Sequence, residues 1–130
     1  ETTTELKEAV ARFLPKGSEN KVLAQIFQSL RIEVNEEMKV LEIFLSQCAD
    51  VLKPGGRLVV MSYHSLEDRL VKNFMKTGNA DGNLEKDFFG NQLTPYKLMS
   101  SKPIVPSDDE IQINSRARSA KLRVAERRDR

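Results

Sequence analysis

Apolar positions recur every three or four residues through the first 52 positions and then change period. Leu6, Val10, Phe13 and Leu14 predict a helix over 3–14, with Thr2 three residues before Glu5 as a capping box and Pro15 and Gly17 ending it. From Asn20 to Leu52 the same spacing continues through Leu23, Ile26, Phe27, Leu30, Val34, Met38, Leu41, Phe44, Leu45, Cys48 and Val51. That run exceeds an ordinary globular helix, and Asn35 ahead of Glu36 and Glu37 has the chemistry of a fresh N-cap. The expectation is one bent helix, or two helices meeting near residues 33–35.

Pro54-Gly55-Gly56 stops the helical pattern, and Leu58, Val59, Val60 and Met61 follow without alternation. Continuous apolarity predicts a strand over 57–62 buried on both faces, as in a parallel sheet covered by helices. Ser65 is the expected cap of a helix from Leu66 to about Lys76, with Leu70, Val71, Phe74 and Met75 facing inward. Residues 77–94, rich in Gly, Asn and Asp, read as a surface loop that Phe88 and Phe89 would pin down. A short strand at 96–101 and a helix over 108–115, capped by Ser107 with Glu110, come next. A last strand at 120–126 alternates Leu122 and Val124 with Lys121 and Arg123. Helix, strand and helix in succession predict an α/β fold.

Composition narrows the class. The 130 residues, 39% apolar and 31% charged, suit one globular domain with a core. No run reaches the roughly 20 apolar residues of a membrane span, and the first residues lack the pattern of a secretory signal, so a cytoplasmic protein with no membrane partner is expected. Cys48, the single cysteine, allows no intrachain disulfide or multi-cysteine zinc cluster and falls on an apolar helix face, where burial is expected. The chain starts at Glu rather than Met, which leaves open that it is a piece of a longer protein. Its net charge of +2 is unevenly spread: residues 114–130 carry +5 and the remainder −3. A basic end on a near-neutral body points to an anionic partner, nucleic acid first, or to a solvated tail.

Two stretches carry candidate chemistry. Ser62-Tyr63-His64-Ser65 lies at the carboxyl end of the buried strand, where open α/β sheets collect their ligands. His64, the only histidine, could join Ser65 and Asp68 in one polar cluster; alternatively Ser65 caps the helix, Asp68 complements its dipole and His64 is merely exposed. No G-x-S-x-G elbow is present, and one histidine without carboxylates at ligand spacing gives no basis for a metal site. Pro54-Gly55-Gly56 precedes its strand and is turn chemistry rather than a phosphate loop. In NSRARSAK, Asn114, Arg116, Arg118 and Ser119 combine an amide, two guanidinium forks and a hydroxyl suited to phosphates or base edges, or form a basic loop at a sheet's rim.

FQSLRIEVNEEM (27–38), LKPGGRLVVMSYHSLEDRLVKNF (52–74), KPIVPSDDEI (102–111) and NSRARSAKLRVAER (114–127) resemble, in order, the C-terminal half of the bacterial S-adenosylmethionine-dependent 16S rRNA cytidine methyltransferase family. The resemblance implies a Rossmann-like class I methyltransferase sheet interrupted by a helical insertion. Residues 1–34 would be the end of that insertion and its return helix, and 35–130 the C-terminal half of the methyltransferase domain, with one buried parallel strand and a closing antiparallel pair. It implies methyl transfer from S-adenosylmethionine to the exocyclic N4 amine of a cytidine in small-subunit ribosomal RNA. The main cofactor motif would lie upstream, leaving no cofactor-binding residue here and a chain inactive by itself. Ser62, His64, Ser65 and Asp68 then line the pocket; Asn114, Arg116, Arg118, Ser119 and Lys121 meet RNA, and no residue is assigned as catalytic base. A strand parted from its parallel neighbour would expose an apolar edge, so dimerisation, element swapping or shielding by the N-terminal helices is expected. Two other readings stay open: a non-catalytic RNA-binding or interaction module using the basic end, and a nucleotide-dependent oxidoreductase, which would leave HSLEDR and RARSAKLR unexplained.

Overall fold

A computed structural model describes residues 2–129. Two compact units divide the chain, Glu1–Glu37 and Met38–Arg130. In the first, α1 (Thr3–Val10) starts on the expected capping box: the Thr2 hydroxyl accepts from the Glu5 amide at 3.3 Å while the Glu5 carboxylate accepts from the Thr2 amide at 2.8 Å. A 3₁₀ turn, Ala11–Phe13, follows, and α2 runs Glu19–Val34 with Leu23 buried. The long periodic run is two helices, because the chain breaks at Asn35-Glu36, where Glu36 takes a positive φ of 49°. Asn35 is the C-cap of α2, not the fresh N-cap its identity suggested; its backbone amide donates to the Arg31 carbonyl at 3.0 Å. Across the break Arg31 grips Glu37 with two guanidinium nitrogens, at 2.9 and 3.0 Å.

The second unit contains most of α3 (Glu37–Val51), then β1 (Arg57–Ser62), α4 (Ser65–Thr77), β2 (Tyr96–Leu98), α5 (Asp108–Ile113) and β3 (Lys121–Arg127), with a 3₁₀ turn at Ser115–Ser119. Gly55 turns the chain at φ +78°, and its amide donates to the Arg127 carbonyl at 2.9 Å, so the Pro-Gly-Gly stop also ties the start of β1 to the end of β3. The strands form one sheet in the order β1-β3-β2. Both pairings are antiparallel: Arg57 stands opposite Glu126, Ser62 opposite Lys121, and Tyr96 opposite Arg127. The closing antiparallel pair is thus β2 with β3. No parallel neighbour of β1 occurs among the described residues, so its second edge is open.

That register divides the sheet's side chains into two faces. Leu58, Val60 and Ser62 share one face with Ala125, Arg123 and Lys121, and α3 and α4 cover it with Leu45, Cys48, Leu70, Val71, Phe74 and Met75. Val59 and Met61, with Val124 and Leu122 opposite them, point the other way; Val59 is 54% exposed and Met61 52%. Burial on both faces of β1, expected from its unbroken apolar run, is therefore corrected among the described residues to burial on one. The last strand inverts its expected pattern as well: Arg123 and Ala125 are buried, Leu122 and Val124 half-buried. The helices pack on the face that carries Arg123 and Ala125, and burial follows that side of β3 rather than its leucine.

Cys48 is buried as expected. The loop after α4 is held by a different set from the one its aromatics suggested. Phe88 and Phe89 stand 97% and 85% exposed and pin nothing. The Asn79 carboxamide instead accepts from the amides of Gly82 and Asn83 and from the Thr77 hydroxyl, and donates to the Asn83 carbonyl at 2.7 Å. Gly78 caps α4 at φ +83°, where an added Cβ would meet Pro95 Cδ at 2.7 Å. Among the described residues no helix is long and apolar enough to cross a membrane.

Candidate functional site

The carboxyl end of β1 hands the chain to α4 through Tyr63 and His64. His64, not Ser65, is the N-cap: its backbone is extended, and its Nδ1 accepts from the Glu67 amide at 3.4 Å. An imidazole whose Nδ1 accepts carries its proton on Nε2, and that atom lies 3.1 Å from Glu67 Oε1, without the alignment of a hydrogen bond. Glu67 closes the box by accepting from the amides of Tyr63, at 3.0 Å, and His64, at 3.4 Å. Ser65 becomes the first helical residue and is exposed. Residue identity favours serine as a cap, but the imidazole prevails here because Glu67 sits three positions after His64, the reciprocal spacing a capping box requires.

Asp68 turns away from this pair and onto the sheet. Its Oδ1 accepts from Arg123 Nε at 2.7 Å, and its Oδ2 from Arg123 Nη2 at 3.2 Å and Lys121 Nζ at 3.3 Å. Burial by itself would raise the Asp68 pKa, but the bonds and charges of Arg123 and then Lys121 outweigh it and hold the carboxyl below its usual value. The expected cluster of His64, Ser65 and Asp68 is therefore not formed. Asp68 is committed to Arg123, which is 6% exposed and leaves Nη1 without a hydrogen-bond partner among the described residues. Ser62 is buried one strand away, its hydroxyl directed at the Lys121 carbonyl at 3.5 Å, the outer limit of a hydrogen bond. Lys121 thus joins the two candidate stretches, opposite Ser62 in the sheet and bonded to Asp68.

The basic stretch converges on the same end of the sheet. Asn114 caps the 3₁₀ turn by accepting from the Arg116 amide at 3.2 Å, and Arg116, Arg118 and Ser119 are exposed on that turn. Ala117 is the buried foot that seats it. Just before α5, Ile104 exchanges two 2.8 Å backbone bonds with Leu122, which fixes the 104–106 segment against the start of β3. Glu67 and Arg123 were missed by sequence reasoning. Glu67 was legible as position three after His64 in a capping box, whereas Arg123 on a polar-looking alternation carried no signal of burial.

The chain matches the MraW methylase family over residues 1–128. It is 59% identical over 126 residues to the ribosomal RNA small subunit methyltransferase H of Flavobacterium johnsoniae, covering 97% of this chain and 41% of that protein. The protein of the same name from Flavobacterium psychrophilum is 61% identical, covering 97% of this chain and 43% of the relative, and that of Parabacteroides distasonis is 57% identical, at 98% and 42%. The chain therefore spans less than half the length of these curated relatives.

Proposed function

Because the chain belongs to the MraW methylase family, we propose that it is the C-terminal part of an S-adenosylmethionine-dependent methyltransferase acting in the cytoplasm on the N4 amine of a cytidine in 16S ribosomal RNA. The relatives' shared name, ribosomal RNA small subunit methyltransferase H, supports the substrate class. On this reading the sheet is the closing end of a Rossmann-like fold. The open edge of β1 is the seat of a parallel neighbour, residues 1–34 end a helical insertion, and 35–130 complete the methyltransferase domain.

The described residues do not fit a cradle for S-adenosylmethionine. In folds of this kind a glycine-rich turn between a strand and a helix offers free amides to such a ligand. At the passage from β1 to α4 the residues are Tyr63 and His64, and the Glu67 carboxylate already accepts from both amides. These 130 residues alone are accordingly proposed to transfer no methyl group.

Their role is to receive RNA. The exocyclic amine of cytosine is a poor nucleophile, since its lone pair is delocalised into the ring, so its base must be held in one orientation outside the helical stack. Arg116, Arg118 and Lys121 supply the charge that anchors the backbone, Asn114 and Ser119 add hydrogen-bonding groups, and His64 and Ser65 stand beside them at the start of α4. Ser62 and Asp68, buried on the helix-covered face, act as positioning residues: the Ser62 hydroxyl is directed at the Lys121 carbonyl, and the Asp68 carboxylate is held by two guanidinium nitrogens and an ammonium. The observation that carries the reading is the convergence of the basic turn and Lys121 on the carboxyl end of β1. Titration of the chain with short single-stranded RNA tests it. The double change R116A/R118A should weaken binding and flatten the dependence of log affinity on log salt by roughly 1.4, two phosphate contacts' worth. An unchanged slope would sink the assignment.

A further inference from the structure

The open face of the sheet is not featureless at its β1 carboxyl end. A cavity of about 600 Å³ lies there, within the size range of small-molecule sites. Its apolar floor is Met61, Leu122, Ile104 and Val105. Tyr63, 57% exposed, supplies one aromatic side, and Glu110, Asn114 and Arg116 bring a carboxylate, an amide and a guanidinium to the rim.

None of those three polar groups is consumed by the fold. The Glu110 backbone amide donates to the Ser107 hydroxyl, while its carboxylate has no partner among the described residues. Asn114 uses its Oδ1 to cap the following turn, which leaves its amide nitrogen to donate. The Arg116 side chain makes no ion pair among the described residues. An apolar slot with an aromatic side, an acceptor, an amide donor and a cation matches a nucleotide: a flat π-faced ring, an edge carrying donors and acceptors, and a phosphate. A carboxylate at the edge selects bases with an exocyclic amine, which donates where a carbonyl would repel it.

We propose that this cavity holds a base drawn out of an RNA strand, stacked on Tyr63, with its exocyclic amine donating to the Glu110 carboxylate, the Asn114 amide meeting its carbonyl edge and Arg116 on the adjoining phosphate. The proposal rests on the RNA-modifying reading above and adds to it the residues that choose the base. Glu110 is the specificity determinant, Tyr63 the platform.

Fluorescence anisotropy with an oligouridine and the same oligonucleotide carrying one cytidine tests it, on the chain and on variants whose thermal melts show that they fold. The unmodified chain should prefer the cytidine strand about tenfold. Y63A should lose about tenfold or more in affinity for that strand while Y63F keeps it, the scale of one base–aromatic stack. E110Q should bring the two strands to equal affinity, since an amide both accepts from an amine and donates to a carbonyl; a purely structural role for Glu110 would leave the ratio alone. If Y63A and E110Q change neither affinity nor preference while R116A/R118A still weakens binding, the cavity is not the base site and the RNA reading survives. If no oligonucleotide binds, both readings fall.

Discussion

Replacing Asp68 by alanine would remove the counter-ion of a buried guanidinium. Arg123 is 6% exposed, and its Nε, at 2.7 Å, and Nη2, at 3.2 Å, each donate one N–H to that carboxylate. Nη1 already lacks a partner, so the unpaired cation has no second acceptor to turn to. Breaking such a pair from one side costs about 3–5 kcal/mol, against a total stability on the order of 5–15 kcal/mol for a domain. For a chain this long that loss lowers Tm by roughly 10–20 °C, readable by circular dichroism. The double change D68A/R123M removes both charges and fills the space with an apolar side chain, and should recover at least about 2 kcal/mol of the loss. The reasoning is refuted if D68A costs less than about 1 kcal/mol, or if the double variant is no more stable than D68A.

The pH dependence follows from the same carboxylate. Its folded pKa lies below the unfolded value of about 3.9, so the pair's contribution is fully present above that value and is lost as pH falls through the folded one. The stability gap between the unmodified chain and D68N should close as pH is lowered below about 4.

Two further outcomes are expected. Tyr96 buries its hydroxyl without a hydrogen bond among the described residues, and burial pushes its pKa up to about 12. Y96F should therefore stabilise by up to about 1 kcal/mol, and should abolish the part of the alkaline loss that arises between about pH 10, where the unfolded phenol ionises, and pH 12; chemical denaturation at neutral and high pH reads both. The open edge of β1 offers unpaired backbone groups along Arg57–Ser62, so the isolated chain is proposed to dimerise there, and light scattering giving a monomer at all concentrations would count against it.

Local chemistry made much of the architecture legible. The Thr2–Glu5 capping box, the Pro-Gly-Gly stop and the start of α5 at Ser107 are decided by residues within four positions of one another, and they appear where the spacing put them. The amphipathic spacing likewise named the inner face of α4, because a helix turned toward a sheet must present one apolar side; on α3 it named Leu45 and Cys48 correctly, but Phe44 and Val51, on the same spacing, are exposed. The family, too, was written in contiguous strings such as HSLEDR and RARSAKLR.

Long-range pairing decided the rest. Whether an alternating strand buries its leucines or its arginine depends on which face the helices cover, and the pattern of β3 contains no record of that. Lys121 and Arg123 looked like a solvated side until register placed them opposite Ser62 and Val60, over the first turn of α4, where Asp68 meets them. Asp68 lies three residues from Ser65 in sequence and 55 from Arg123, and it is the distant partner that claims it, because a bidentate guanidinium in a buried site outweighs a nearby hydroxyl. The amino-acid sequence by itself determined the helices, the turns and the family. Only the tertiary structure decided that the aspartate is an anchor and that the open space beside Tyr63 is ringed by an acid, an amide and a cation, since each depends on residues brought together by the closing of β1 on β3, whereas the His64 cap needs only Glu67 three positions on.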